Sequence, residues 1–87
     1  MNIKIDDNYS LTSDARNVML IENKVVQDGK NKGKPTQSVW GYYGTVESAL
    51  KGYAKLKTKL SNATTIPELL ADIKKIDDTI ESVLKGN

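Results

Sequence analysis

Ser38-Val39-Trp40-Gly41-Tyr42-Tyr43-Gly44-Thr45-Val46-Glu47-Ser48-Ala49-Leu50 is the stretch where the chain changes its period. The first half is β-branched and aromatic, which predicts a strand over 38–43 ended by Gly44. Thr45 then offers the side-chain oxygen that caps a helix, and Glu47 sits in the first turn, where the helix dipole favours an acid. From Val46 the apolar spacing is helical. Val46, Ala49, Leu50, Tyr53, Ala54, Leu56 and Leu60 share one face of a helix over about 46–60. Lys51, Lys55 and Lys59, spaced by four, form a ridge on the opposite face. Lys57 falls inside the apolar arc, where its stem can lie on the core with the ammonium in water.

Working outward towards the N-terminus, residues 28–37 form a polar loop with two glycines, a proline and three lysines, the natural connection of a long hairpin. Residues 17–26 read as a strand carrying Val18, Leu20, Ile21, Val25 and Val26. Its alternation breaks around Met19-Leu20-Ile21, which calls for a bulge or for burial of both faces. Ile3 and Ile5 alternate with polar neighbours and predict a strand over 2–6. Asp7-Asn8 and Thr12-Ser13-Asp14 are turn clusters. Between them Tyr9 and Leu11 briefly resume alternation, which allows a fourth short strand over 9–11.

Towards the C-terminus, Ser61-Asn62-Ala63-Thr64 is a short connection, so two helices should run antiparallel. Thr65 and Glu68 have capping-box spacing, with Pro67 in the first turn. Leu69, Ile73, Ile76, Ile80 and Val83 make the stripe of a helix over about 66–84, widened by Leu70 and Leu84 and ended by Lys85-Gly86. The order predicts one α+β domain over 1–87. Its sheet has three antiparallel strands, or four if 9–11 pairs, with an antiparallel helical hairpin on one face. The stripe of the second helix can also serve a dimer seam, leaving monomer and homodimer open.

Composition narrows the function. The chain has 87 residues with no cysteine and no histidine, which removes disulfides, thiolate metal sites and the commonest general base. Neither a signal peptide nor an apolar run of ~20 residues is present, so no membrane association is expected and a cytoplasmic location is. Asp6-Asp7 and Asp77-Asp78 do not converge, because adjacent residues diverge on strands and helices. Both read as structural, with Arg16 or a tyrosine hydroxyl as the partner expected for Asp77. No base activates Ser13, and Gly41 and Gly44 do not match a phosphate loop. No enzyme activity, cofactor or metal is expected.

The net charge of +2 hides a basic middle. Residues 24–60 carry eight lysines against Asp28 and Glu47, while both flanks are acidic. Separated charge marks a directional surface for a negative partner. The candidate partner-binding residues are Lys30, Lys32 and Lys34 of the loop, Lys51, Lys55 and Lys59 of the ridge, and the aromatics Trp40 and Tyr42. Alternation places Trp40 and Tyr42 on one face and Val39 and Tyr43 on the other. Either Trp40 is the centre of the core, the reading given more weight, or Trp40 and Tyr42 form an exposed pair beside the lysines. Lysine in place of arginine argues against specific base reading.

Met1-x-Ile3-x-Ile5, the run Asn8-Tyr9-Ser10-Leu11-Thr12-Ser13-Asp14 followed by Asn17-Val18, and Gly41-Tyr42-Tyr43-Gly44-Thr45-Val46-Glu47-Ser48-Ala49-Leu50 together resemble short early-region proteins of temperate phages and prophages of Gram-positive bacteria. These motifs are strand edges, a turn and a helix start, so no functional residue transfers from them. The resemblance implies a phage protein that acts inside a bacterial host. Such a protein would bind a host or phage protein and inhibit a macromolecular machine, with a defence nuclease or its nucleic-acid complex as candidate target, in the manner of an anti-CRISPR. The alternative is a nucleic-acid-binding accessory protein in phage replication or recombination.

Overall fold

The computed structural model describes residues 1–86. Four strands, β1 (Asn2–Lys4), β2 (Tyr9–Ser13), β3 (Val18–Val25) and β4 (Pro35–Tyr43), precede two helices, α1 (Val46–Lys59) and α2 (Ile66–Leu84). The strands form an antiparallel meander in the order β1-β2-β3-β4. The fold is therefore α+β with the four-stranded form of the sheet.

Register sorts the side chains. Ile3, Leu11, Leu20 and Gly41 stand in one row across the sheet, and Asn2, Thr12, Met19 and Tyr42 stand in the next. Neighbouring rows face opposite sides. The Leu11 row faces the helices, with Leu11 0% and Leu20 1% exposed. α1 lies against β3 and β4 and adds Ala49, Leu50 and Tyr53 to the core. α2 packs mainly on α1 and, among the described residues, contributes one buried residue, Ile76. Leu70 and Leu84, expected to widen the apolar stripe of α2, are exposed instead, because α2 lies on another helix and not on the broad sheet.

Local chemistry sets the boundaries. β1 stops at Lys4 because Asp6 Oδ1 accepts the N–H groups of Asn8 (2.7 Å) and Tyr9 (2.8 Å) and turns the chain. Asp14 does the same for Arg16 and Asn17, so β2 extends to Ser13. β4 begins at Pro35, three residues earlier than the loop composition implies. An edge strand tolerates proline at its first residue, and Val25 pairs with Pro35. The remaining hairpin turn is closed by Gly33 N–H donating to the Val26 carbonyl (2.9 Å), with Gly29 and Gly33 both at φ +85°. Thr45 caps α1 by accepting the Ser48 N–H (3.1 Å), and Thr65 caps α2 by accepting that of Glu68 (3.3 Å). The Glu68 carboxylate reaches Thr64 N–H, one residue before the cap. No helix is long and apolar enough to cross a membrane among the described residues.

The irregularity expected near Leu20 is present, with the extra residue on the opposite strand. Register passes from Leu20↔Gly41 directly to Ile21↔Val39, leaving Trp40 as a β-bulge. Both Leu20 and Ile21 are buried, on opposite faces.

The packing of α1 on β4 depends on Gly52. The Tyr43 ring fills a notch between Gly41 and Gly52, and a Cβ on either glycine would overlap it. Alanine usually stabilises a helix interior by about 1 kcal/mol over glycine. Here overpacking dominates, and we expect Gly52→Ala to lower the unfolding free energy by roughly 1–2 kcal/mol net. Urea denaturation followed by circular dichroism checks the sign; a stabilised variant would show that Tyr43 swings out freely.

Candidate functional site: a tryptophan and lysine cleft

The bulge at Trp40 determines the character of the surface. An unbroken strand would place Trp40 beside Tyr42 on the open face. The extra residue rotates Trp40 to the helix side, where it lines a cleft between β4 and α1 with Tyr43, Gly52, Lys51, Lys55 and Lys59. The cleft volume is about 620 Å³. Trp40 is 48% exposed, so it is the wall of a cleft and not the centre of the core. That centre is Tyr53 with Leu11 and Leu20. Nor does Trp40 pair with Tyr42, which stands in the Met19 row on the open face, 62% exposed.

A carboxylate holds the indole in place. Trp40 Nε1–H donates to Glu22 Oε1 at 2.7 Å, and Lys24 Nζ lies 3.6 Å from the same oxygen. Glu22 and Leu20 are two residues apart on β3 and share the helix side. Sequence inspection missed Glu22 because its partner is 18 residues away. The signal available was its parity with Leu20.

Of the eight predicted residues, the structure gathers Trp40, Lys51, Lys55 and Lys59 into one cleft. Tyr42 occupies the other face. Lys30, Lys32 and Lys34 lie at the exposed turn of the β3–β4 hairpin and line neither of the two principal clefts. Among the described residues, no carboxylate lies within ion-pair distance of Lys51, Lys55 or Lys59. Three unpaired ammonium groups beside a half-exposed indole form a site for a ligand carrying several negative charges.

No family model, curated protein or solved structure matches the chain. The site therefore rests on its own geometry.

The second cleft, about 520 Å³, joins the β1–β2 turn to both helices and is structural. Tyr53 Oη–H donates to Asp6 Oδ2 at 2.6 Å, so Asp6 ties its turn to α1 and is not merely a solvated turn residue. The rings of Tyr53 and Tyr9 meet edge to face at 5.7 Å, and Lys57 Nζ lies 5.4 Å from the Tyr9 centroid. Lys57 thus sits at the core edge, as its place in the apolar arc implies. Ser61 Oγ donates to Asp72 Oδ2 at 2.5 Å and accepts the Ala63 N–H, closing the connection between the helices. Asp77 is exposed and bonds neither Arg16 nor a tyrosine.

This cluster sets an alkaline limit. Burial, and then the Asp6 carboxylate, push the Tyr53 phenol well above its ordinary value. Tyr9 is raised too, first by burial and then by Glu22 and Asp6. The stability linked to both is fully present below the ordinary tyrosine range near pH ~10 and is lost as pH rises through it, since the unfolded chain ionises first. The melting temperature should fall between about pH 9 and 11.5, less steeply in Tyr53→Phe, as thermal melts across that range will show.

Proposed function

We propose that the protein is a non-enzymatic interaction module whose cleft of Trp40, Lys51, Lys55 and Lys59 binds an acidic surface on a partner protein. The observation that carries the reading is the convergence of one half-exposed indole and three unpaired lysines in a single cleft. Tryptophan is among the residues that dominate binding energy at protein interfaces, and lysines beside it add attraction and selection for an acidic surface. Motif resemblance supplies the setting, a phage protein inside a bacterial host. In that setting the partner is part of a macromolecular machine that the module inhibits, and a defence nuclease is the candidate target.

A nucleic-acid accessory role draws less support. It leaned on Trp40 and Tyr42 as a paired stacking platform, and the two side chains occupy opposite faces of the sheet.

Affinity purification from a Gram-positive host, with wild type beside Trp40→Ala and Lys55→Glu, tests the proposal. One specific protein should be retained by wild type and reduced about tenfold or more by each folded variant, as expected for loss of an anchor contributing ~1.4 kcal/mol or more. Equal recovery by all three, with no effect of the protein on phage or plasmid interference, would exclude it.

A further inference from the structure

β4 is a long edge strand whose outer side has no strand partner among the described residues. Its nine residues, Pro35–Tyr43, carry no charge at all. Natural sheets usually blunt an exposed edge with lysines, with short strands or with a bulge that twists it. Here the bulge sits at the cleft itself, and the lysines stand one layer away, on α1. Resting on the proposed function, we propose that β4 accepts an extended acidic segment of the partner as a fifth strand, with carboxylates at positions i, i+2 and i+4 meeting Lys51, Lys55 and Lys59.

The spacing supports this pairing. Lysines four apart on a helix repeat every ~6 Å along its axis. Side chains on one face of a strand repeat every ~6.7 Å. Because only Gly44 and Thr45 separate β4 from α1, the helix folds back over the sheet beside its parent strand. An extended chain along the outside of β4 would then direct every second side chain towards the lysine ridge. The intervening side chains would fall on the open face beside Tyr42 and Val39, which are 62% and 46% exposed. Main-chain bonds would supply affinity and the alternate carboxylates would supply selection.

Charge also selects the occupant. A second copy of the chain, pairing β4 with β4 about a two-fold axis, would bring both lysine ridges to the same side of the joined sheet. Like charges would then oppose each other along the seam. Single-stranded nucleic acid would satisfy the lysines but would leave the unpaired main-chain groups of β4 unused.

The probe is a heptapeptide alternating threonine and glutamate, with capped ends, titrated against the full chain and read by the fluorescence of Trp40, the single tryptophan. Four comparisons accompany it: the same composition with its glutamates contiguous, one peptide N-methylated at the glutamates, one N-methylated at the threonines, and oligothymidine. Alternate residues of a strand present their N–H groups to opposite edges, so strand addition makes the two methylated peptides unequal. We expect one of them to bind about tenfold more weakly than the parent and the other to match it, corresponding to ~1.4 kcal/mol of lost main-chain bonding. The contiguous peptide should also bind about tenfold more weakly, and β4 amides should gain protection from hydrogen exchange with the parent peptide. If all four peptides bind alike, strand addition is wrong while an acidic partner for the cleft stands. If oligothymidine outcompetes every peptide, the partner is a nucleic acid and both proposals fail. A silent Trp40 with every probe would likewise overturn both.

Discussion

Replacing Tyr53 with alanine is expected to lower the unfolding free energy by about 3–5 kcal/mol. The ring is 2% exposed and belongs to the core cluster with Leu11 and Leu20. It also touches Tyr9 edge to face and donates to Asp6, so one side chain connects α1 to the β1–β2 turn. A chain of 87 residues has roughly 4–13 kcal/mol of total stability, so this loss removes a large part of it. Tyr53→Phe keeps the ring and removes only the hydroxyl, at an expected cost of about 1–2 kcal/mol, because Asp6 Oδ2 is half-buried and loses its donor. Urea denaturation of both variants separates the contributions. A loss below ~1.5 kcal/mol for Tyr53→Ala would mean that the cavity collapses and that α1 is held by other contacts.

The second large effect concerns binding. The triple variant K51E/K55E/K59E should lose about a hundredfold in affinity for the acidic partner or for the alternating peptide, close to 2.7 kcal/mol. The three lysines are exposed and make no ion pairs among the described residues, so each change should move stability by less than about 0.5 kcal/mol. The matched control is K30E/K32E/K34E. Both triples shift the net charge by the same amount, yet the loop lysines do not line the cleft. The control is expected to change affinity less than about threefold. Equal losses in the two triples would show that overall charge, and not this cleft, attracts the partner. Wild-type binding should also weaken with added salt, whereas the residual binding of the cleft variant should respond little.

The elements were legible because their signals are local. Thr45 and Thr65 announce their helices through side-chain oxygens that act within three residues. The change from period two to period 3.6 at Gly44 is visible without any tertiary knowledge. The candidate site was only half legible. Four of its eight residues come together, and the loop lysines and Tyr42 do not join them. Tyr42 is parted from Trp40 by the single unpaired residue there, which reverses strand parity, whereas the loop lysines stand apart because they belong to the β3–β4 turn. The disturbed alternation on β3 signalled an irregularity, but nothing local could assign the extra residue to β4 instead. Asp6 and Glu22 were missed as organising groups for a related reason. Their hydrogen-bond partners, Tyr53 and Trp40, stand 47 and 18 residues away.

The chain's own sequence determined the α+β order, the helix starts, the lysine ridge with its spacing of four, and the basic middle between acidic ends. All of these follow from side-chain chemistry acting over a few residues. Tertiary structure alone decided which lysines share a cleft with the indole, which face Tyr42 occupies, and that β4 is left as an uncharged edge beside three unpaired cations. Those outcomes depend on strand register, and register is settled by which residues across the whole sheet can be buried together against α1.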